Sequence, residues 1–142
     1  MRPLPAGEAA QNPVAALVAA HLDDDEQTVR AVGCDDIEAV DYLWGSRYLQ
    51  LRSGDKSEVT TELPAELANH IARYDPSRVL DEVAAKRRIL ARHPGATASS
   101  ECPGCGAHLD GTWVTPPGGT CPELADLAAP YVSPEAERVV RW

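Results

Sequence analysis

Three of the four cysteines lie in one short segment, residues 101–124, with the sequence ECPGCGAHLDGTWVTPPGGTCPEL. Cys102 and Cys105 form a C-x-x-C pair, and Cys121 follows 16 positions after Cys105. In a zinc knuckle, two thiolates separated by two residues approach the metal from one tight turn. The proline and glycines of CPGCG suit such a turn, because proline fixes one backbone torsion angle and glycine relaxes others. The spacing therefore predicts a metal site built on three cysteines.

A tetrahedral zinc site needs a fourth ligand, and here it must be a histidine, because CPEL lacks the second cysteine of a C-x-x-C pair. His93 lies nine residues before Cys102, behind a flexible connector that allows it to fold over. His108 lies three residues after Cys105, where reaching back to the same ion is awkward. We therefore favour His93 and keep His108 as the alternative. The predicted cofactor is a structural zinc ion (Zn2+), with these candidate ligands: His93, Cys102, Cys105, His108 and Cys121.

The three cysteines also allow interpretations without a metal. They could be reduced core residues, or they could have a redox role. A thioredoxin-like motif is excluded because its C-x-x-C opens a helix, whereas CPGCGAH continues into turn residues. A nucleotide-deaminase zinc site is excluded because it needs H-x-E and a proline before the C-x-x-C, and the chain has neither. Cys34, which lies beside two aspartates, is interpreted as a bystander. If Cys121 starts the following helix, the positive helix end favours its thiolate form.

The composition indicates that a bound metal ion would help to stabilise the fold. The chain has 142 residues, no Phe and a single Met, so its core must be built mainly from Ala, Val and Leu. Alanine contributes much less than the roughly 1.5–3 kcal/mol gained by burying Leu or Val. The longest apolar run, PVAALVAA, is too short for a membrane span of about 20 residues, and the N-terminus lacks the pattern of a signal peptide. We therefore predict a cytoplasmic protein with reduced thiols and no membrane contact.

The residue pattern predicts an α+β fold: a small, mostly helical domain with one β-hairpin and a C-terminal zinc-knuckle-like turn. Residues 1–12 are a predicted flexible tail. Asn12 is the predicted N-cap of a first helix that stops at Gly33. From residue 41 the pattern changes to a β-hairpin around SGDKS, whose aromatic residues, Tyr42, Trp44 and Tyr48, are expected to supply core.

Two helical segments follow the hairpin, the first starting at Pro64 and the second capped by Asp75 and ending near His93. A short helix follows Cys121. A last one is predicted after an N-cap at Ser133, with Val139, Val140 and Trp142 docking back. Residues 13–142 are predicted to form a single compact domain, of which residues 93–142 are the metal-stapled C-terminal part.

Charge restricts the function classes. The net charge of −9 and the pI near 4.8 argue against a general nucleic-acid binder, which gains affinity by neutralising phosphates with Lys and Arg. A basic cluster lies late in the second of these helical segments: Lys86, Arg87, Arg88 and Arg92. We interpret it as favourable charge near a helix C-terminus that pairs with Asp81 and Glu82. A contact with nucleic acid or with an acidic partner is the alternative interpretation.

Common catalytic motifs are absent from the sequence, including the P-loop, G-x-S-x-G and H-E-x-x-H patterns. An enzyme would need His21 or His70 to meet a carboxylate or Cys34 in a cleft. The leading prediction is therefore a non-enzymatic binding or regulatory protein with a structural zinc site, acting through a protein partner. A nucleic-acid-associated zinc module using the Lys86–Arg92 cluster is the second hypothesis, and an enzyme or redox protein is the third.

Three segments carry a resemblance to a known family: LVAAHLDDDEQTVRAV, ANHIARYDPSRVLDEVAAKRRIL and CPELADLAAPYVSPEAERVVRW. In this order they resemble a family of small proteins of unknown function from actinomycete bacteria and their phages. The family typically ends in CxxLRxLAxPYxDHPDY before a tryptophan, and this chain replaces the DHPDY portion. The resemblance implies a shared fold and a cytosolic location. It implies no activity, although occurrence in phages suggests a role directed at host machinery or in a lysogen.

Overall fold

The computed structural model of the protein describes residues 11–60 and 62–132. The predicted tail lies outside these residues except for positions 11 and 12, and the predicted last helix, with Ser133, Val139, Val140 and Trp142, lies outside them entirely. The described residues divide into two compact units. Unit 1 contains residues 11–22 and 86–132, and unit 2 contains residues 23–85. The single compact domain stays a prediction.

The described residues form helices and a small antiparallel sheet, which confirms the predicted α+β class. The helices are α1 (Pro13–Ala31), α2 (Ala65–Arg73), α3 (Pro76–Arg92) and α4 (Pro122–Ala128). The strands are β1 (Asp36–Asp41), β2 (Ser46–Ser53), β3 (Lys56–Val59) and β4 (Leu63–Pro64). Short 3-10 turns span Leu43–Gly45, Pro103–Cys105 and Ala129–Tyr131. No helix of the described part of the chain combines the length and apolar character needed to cross a bilayer.

Side-chain caps set the starts of two helices, as the sequence predicts. Asn12 Oδ1 accepts hydrogen bonds from the N–H groups of Val14 and Ala15, at 2.9 and 3.2 Å. Asp75 Oδ1 accepts one from the N–H of Arg78 at 2.8 Å. Each cap satisfies helix N–H groups that have no partner within the helix. Both predicted N-caps are therefore confirmed.

The sheet of unit 2 is built around β2. The predicted hairpin is β2–β3, in which Ser53 pairs with Lys56 across a two-residue turn. The sheet is larger than this hairpin, because all of β1 pairs antiparallel with residues 47–52 of β2, and β4 pairs with the first residues of β2. Helix α2 packs on β1 and β2. The hairpin therefore gains the neighbours that a two-stranded ribbon needs for stability.

The prediction that the hairpin aromatics supply core is wrong for Trp44 and Tyr42. Trp44 is 98% exposed and Tyr42 is 52% exposed, whereas Tyr48 is partly buried. The physical reason is the additional strand. Because β1 pairs with β2, residues 42–45 form the turn that connects them instead of a strand. The buried hydrophobic side chains among the described residues of unit 2 are smaller ones, Leu49, Ala68 and Val83.

Candidate metal centre

The first ligand position lies at the end of α3. His93 directly follows the last helical residue, and its N–H still donates to the carbonyl of Ile89 at 2.8 Å. This hydrogen bond continues the helical pattern by one residue, so the backbone of His93 is fixed. The connector that follows turns sharply at Gly95, whose φ of +83° is readily available only to glycine.

The second and third positions come from the CPGC turn. Residues Pro103–Cys105 form a 3-10 turn in which the N–H of Cys105 donates to the carbonyl of Cys102 at 3.3 Å. The next N–H, of Gly106, donates to Pro103 at 3.2 Å, and Gly106 leaves the turn with φ at +72°. The predicted knuckle-like turn is therefore present, and it brings Cys102 and Cys105 to one side.

The fourth position is the N-cap of α4. Cys121 has an extended backbone, Pro122 occupies the first helical position, and the N–H of Ala125 donates to the carbonyl of Cys121 at 3.0 Å. The predicted helix after Cys121 is thus confirmed. Its cysteine is held at a defined helix end rather than in a loose loop.

Gly104 brings the CPGC turn against the end of α3. A Cβ atom placed on Gly104 would lie 1.9 Å from the carbonyl oxygen of Arg92 and 2.9 Å from Nδ1 of His93. Neither distance is compatible with a real side chain, and the first involves backbone that cannot rotate away. The two elements that carry His93, Cys102 and Cys105 can therefore approach each other only because residue 104 is glycine.

These elements bring four ligand atoms together. The ligand atoms of His93, Cys102, Cys105 and Cys121 all lie within 4.8 Å of one another. The sulfurs of Cys105 and Cys121 are 3.4 Å apart, and Nδ1 of His93 is 3.6 Å from each of them. Tetrahedral zinc, with bonds of about 2.3 Å to sulfur and about 2.0–2.1 Å to nitrogen, separates its ligand atoms by about 3.6–3.8 Å. The group could therefore bind a metal ion of this size.

Two of the three cysteines of this group are buried. Cys102 is fully buried and Cys121 is 3% exposed, while Cys105 and His93 are partly exposed. Burial raises the pKa of Cys102, but hydrogen bonds from the N–H of Gly95 and from the neighbouring thiols outweigh it and lower that pKa overall. Such hydrogen bonds stabilise a thiolate. The surroundings of Cys102 therefore favour the thiolate, which is the form in which cysteine binds metals.

Cys121 differs from the expectation that its helix end favours the thiolate. Burial raises its pKa to about 12, although the N–H of Leu124 acts in the opposite direction. The buried environment therefore outweighs the helix terminus, and hydrogen bonds with the other two cysteine side chains raise the pKa further. A nearby cation reverses this balance, because a positive charge favours the thiolate.

His108, the alternative ligand, lies elsewhere. It is exposed, in a small turn where its N–H donates to the carbonyl of Thr112 at 2.7 Å and its carbonyl accepts from Gly111 at 2.9 Å. Among the described residues, the group of close ligand atoms contains His93 and not His108. The spacing argument that preferred His93 thus agrees with the geometry.

The other sequence candidates lie outside this group. Cys34 belongs to unit 2, and the pKa of its thiol is raised by burial and by three aspartates, which makes it less reactive than an ordinary thiol. The ring of His21 stacks on Tyr131 at a centroid distance of 4.5 Å, and the ring of His70 packs on Tyr74 at 5.1 Å. These rings make aromatic contacts of an ordinary structural kind.

The basic cluster is partly engaged in packing. Nζ of Lys86 lies 5.8 Å from the ring centroid of Tyr131, a cation–π arrangement. Arg88 and Arg92 are exposed. Glu82, which was expected to pair with the cluster, instead forms an ion pair with Arg78 at 2.9 Å.

Two residues of the site were not singled out from the sequence. Gly104 is one of them, although a glycine within the C-x-x-C pair could have indicated that this turn packs closely against another element. Thr115 is the other: it is 1% exposed, and its carbonyl accepts the N–H of Cys102 at 3.1 Å. Its hydroxyl has no hydrogen-bond partner among the described residues. Nothing in the sequence near Thr115 distinguishes it from other loop threonines.

Fold and site together define a small α+β protein with a Cys3His group that could hold a metal ion. A family model described as a family of unknown function (DUF6221) matches residues 11–134. The chain belongs to this family. The match spans all four residues of the Cys3His group. Searches of curated proteins and of solved structures found no match.

Proposed function

We propose that this chain is a non-enzymatic binding protein whose C-terminal part is held together by a structural zinc ion. The observation that carries the proposal is the complete four-ligand set of His93, Cys102, Cys105 and Cys121. Structural zinc sites use four protein ligands, whereas catalytic sites keep one position open for water or substrate. Thiolate and imidazole ligands in this ratio suit zinc better than they suit magnesium or calcium.

Bound zinc would supply folding free energy to a part of the chain that has little other core. The buried side chains of unit 1 are mostly small, and they include two of the proposed ligands: Ala15, Val18, Leu22, Ala96, Cys102, Thr115, Cys121, Leu124 and Ala128. Neighbouring residues support the proposed ligands. The backbone N–H groups of Gly95 and Leu124 donate to the sulfurs of Cys102 and Cys121. Gly104 allows the CPGC turn to approach His93.

Action through a protein partner remains the preferred biological role, in a cytoplasmic setting where the free cysteines stay reduced. An origin in actinomycetes and their phages also remains a prediction from the resemblance. The nucleic-acid-associated module ranks second. Lys86 of the basic cluster lies against Tyr131, and the net charge of −9 opposes binding to phosphates. An enzyme or redox protein is third, because the ligand set leaves no open coordination position.

Metal analysis of untagged protein, purified without added metal, tests the proposed site. We expect about one zinc per chain. His93→Ala should lower zinc affinity by at least 10-fold because it removes a ligand, whereas His108→Ala is the matched control and should bind zinc like the wild type. Protein without zinc would overturn the proposal, and zinc lost from His108→Ala but kept by His93→Ala would overturn the ligand assignment.

A further inference from the structure

Unit 2 exposes several large apolar side chains in the β1–β2 turn and beside it. Tyr42, Leu43 and Trp44 are 52%, 62% and 98% exposed, and Val59 is 65% exposed. Tyr42 and Val59 also line an open groove of about 400 Å³, together with Tyr48, Thr60 and Glu62. We call the turn and this groove the turn–groove surface. Large exposed apolar surfaces of this kind mark binding sites, and Trp and Tyr dominate their energetics.

The backbone presents Trp44 at a cost to stability. Its φ of 64° and ψ of 30° are left-handed, a conformation that bulky residues rarely adopt. Two hydrogen bonds nevertheless hold the turn in place. The N–H of Tyr42 donates to the carbonyl of Ser46 at 3.0 Å, and the hydroxyl of Ser46 donates to the carbonyl of Leu43 at 2.7 Å. The cost of this backbone conformation is not offset by packing within unit 2, because Trp44 is 98% exposed. Strain retained in this way points to a function outside the fold.

The negative charge of unit 2 indicates which kind of partner its surface can bind. Unit 2 contains 15 acidic and 6 basic residues, a net charge of −9 that equals the net charge of the whole chain. Glu62 lies on the groove, and the described residues that line it include no Lys or Arg. A second copy of this chain would bring one unit of charge −9 against another, which is unfavourable. A basic partner is complementary.

We infer that the turn–groove surface binds a basic protein segment that carries an aliphatic or aromatic anchor residue. The anchor enters the groove between Tyr42, Tyr48 and Val59, Trp44 packs over it, and Glu62 pairs with a flanking Arg or Lys. This inference specifies the partner of the proposed binding protein. It does not depend on the zinc site, since the turn–groove surface and the Cys3His group lie in different units.

The test is selection of 12-residue random peptides on the full-length protein, followed by affinity measurements on the synthetic peptides at about 50 and 200 mM salt. We expect the selected peptides to combine Arg or Lys with an apolar anchor and to bind more weakly at the higher salt. Trp44→Asn should weaken binding at least 10-fold, and Glu62→Gln should weaken it about 3-fold with a smaller salt effect. Trp113→Ala, which changes a partly exposed tryptophan of unit 1, is the matched control and should bind normally.

Trp44→Asn also separates binding from folding. Asparagine tolerates the left-handed conformation, so the urea midpoint of unfolding should equal or exceed that of the wild type. Selection of no peptides or of acidic peptides, or normal binding by Trp44→Asn, would overturn the inference. A dimer dissolved by Trp44→Asn would overturn it in favour of self-association. Zinc is measured on the same samples: zinc present without peptide binding contradicts the inference alone, and peptide binding without zinc contradicts only the zinc site.

Discussion

Removal of zinc by a strong chelator is expected to unfold the segment of unit 1 that follows α3. Structural zinc contributes about 10–16 kcal/mol of apparent binding free energy in zinc-finger peptides at pH 7, which exceeds the stability of many small domains. Amide hydrogen exchange is the appropriate measurement. The N–H groups of Cys102, Cys105 and Ala125 are hydrogen-bonded in the folded site and should lose protection after chelation.

Two variants control this experiment. Cys102→Ser removes a fully buried residue of the proposed ligand set and should reproduce the effect of chelation without a chelator. Cys34→Ser changes a cysteine of unit 2 outside the ligand group and should leave zinc content and exchange unchanged. Protection should return when zinc is added back to the chelated wild type, and not when magnesium is added. Unchanged protection at these amides after complete zinc removal would show that the fold does not need the metal.

Gly104→Ala is expected to damage the site without removing any ligand. The new methyl group would lie 1.9 Å from the carbonyl oxygen of Arg92 and 2.9 Å from Nδ1 of His93, so the CPGC turn and the end of α3 must separate. We expect zinc affinity to fall by about 100-fold, the upper end of the range for residues that orient ligands. Competition with a chromophoric zinc chelator measures this change.

Gly111→Ala is the control for a general effect of replacing glycine in the same segment. Gly111 has a φ of +85° and open space around its Cβ position, so alanine there meets backbone strain without crowding. We expect a loss of about 1–2 kcal/mol in the free energy of unfolding and normal zinc affinity. Wild-type zinc affinity in Gly104→Ala would show that the close approach at residue 104 does not matter to the site.

Features that depend on a few neighbouring residues could be predicted from the sequence. Asn12 and Asp75 cap helices because a polar side chain reaches the N–H groups two or three residues ahead. The β2–β3 hairpin follows from the SGDKS turn between β-forming residues. The preference for His93 over His108 followed from chain reach, since a connector of moderate length can return to the C-x-x-C turn.

Features that depend on distant residues could not be predicted. β1 was missed because DIEAVD has acidic residues that are unfavourable in strands, and its strand form depends on pairing with β2. The exposure of Trp44 could not be predicted for the same reason, because pairing of β1 with β2 places residues 42–45 in the turn between these strands. The high pKa of Cys121 depends on burial, which opposes the local effect of the helix end. The close approach of Gly104 to Arg92 is likewise visible only in three dimensions.

Zinc-edge X-ray absorption spectroscopy of the protein as purified tests the central claim most directly. The Cys3His assignment predicts a shell of three sulfurs at about 2.3 Å and one nitrogen at about 2.0–2.1 Å from zinc, with the outer-shell signal of one imidazole. A shell dominated by oxygen or nitrogen, or the absence of bound zinc, would contradict a structural site formed by His93, Cys102, Cys105 and Cys121.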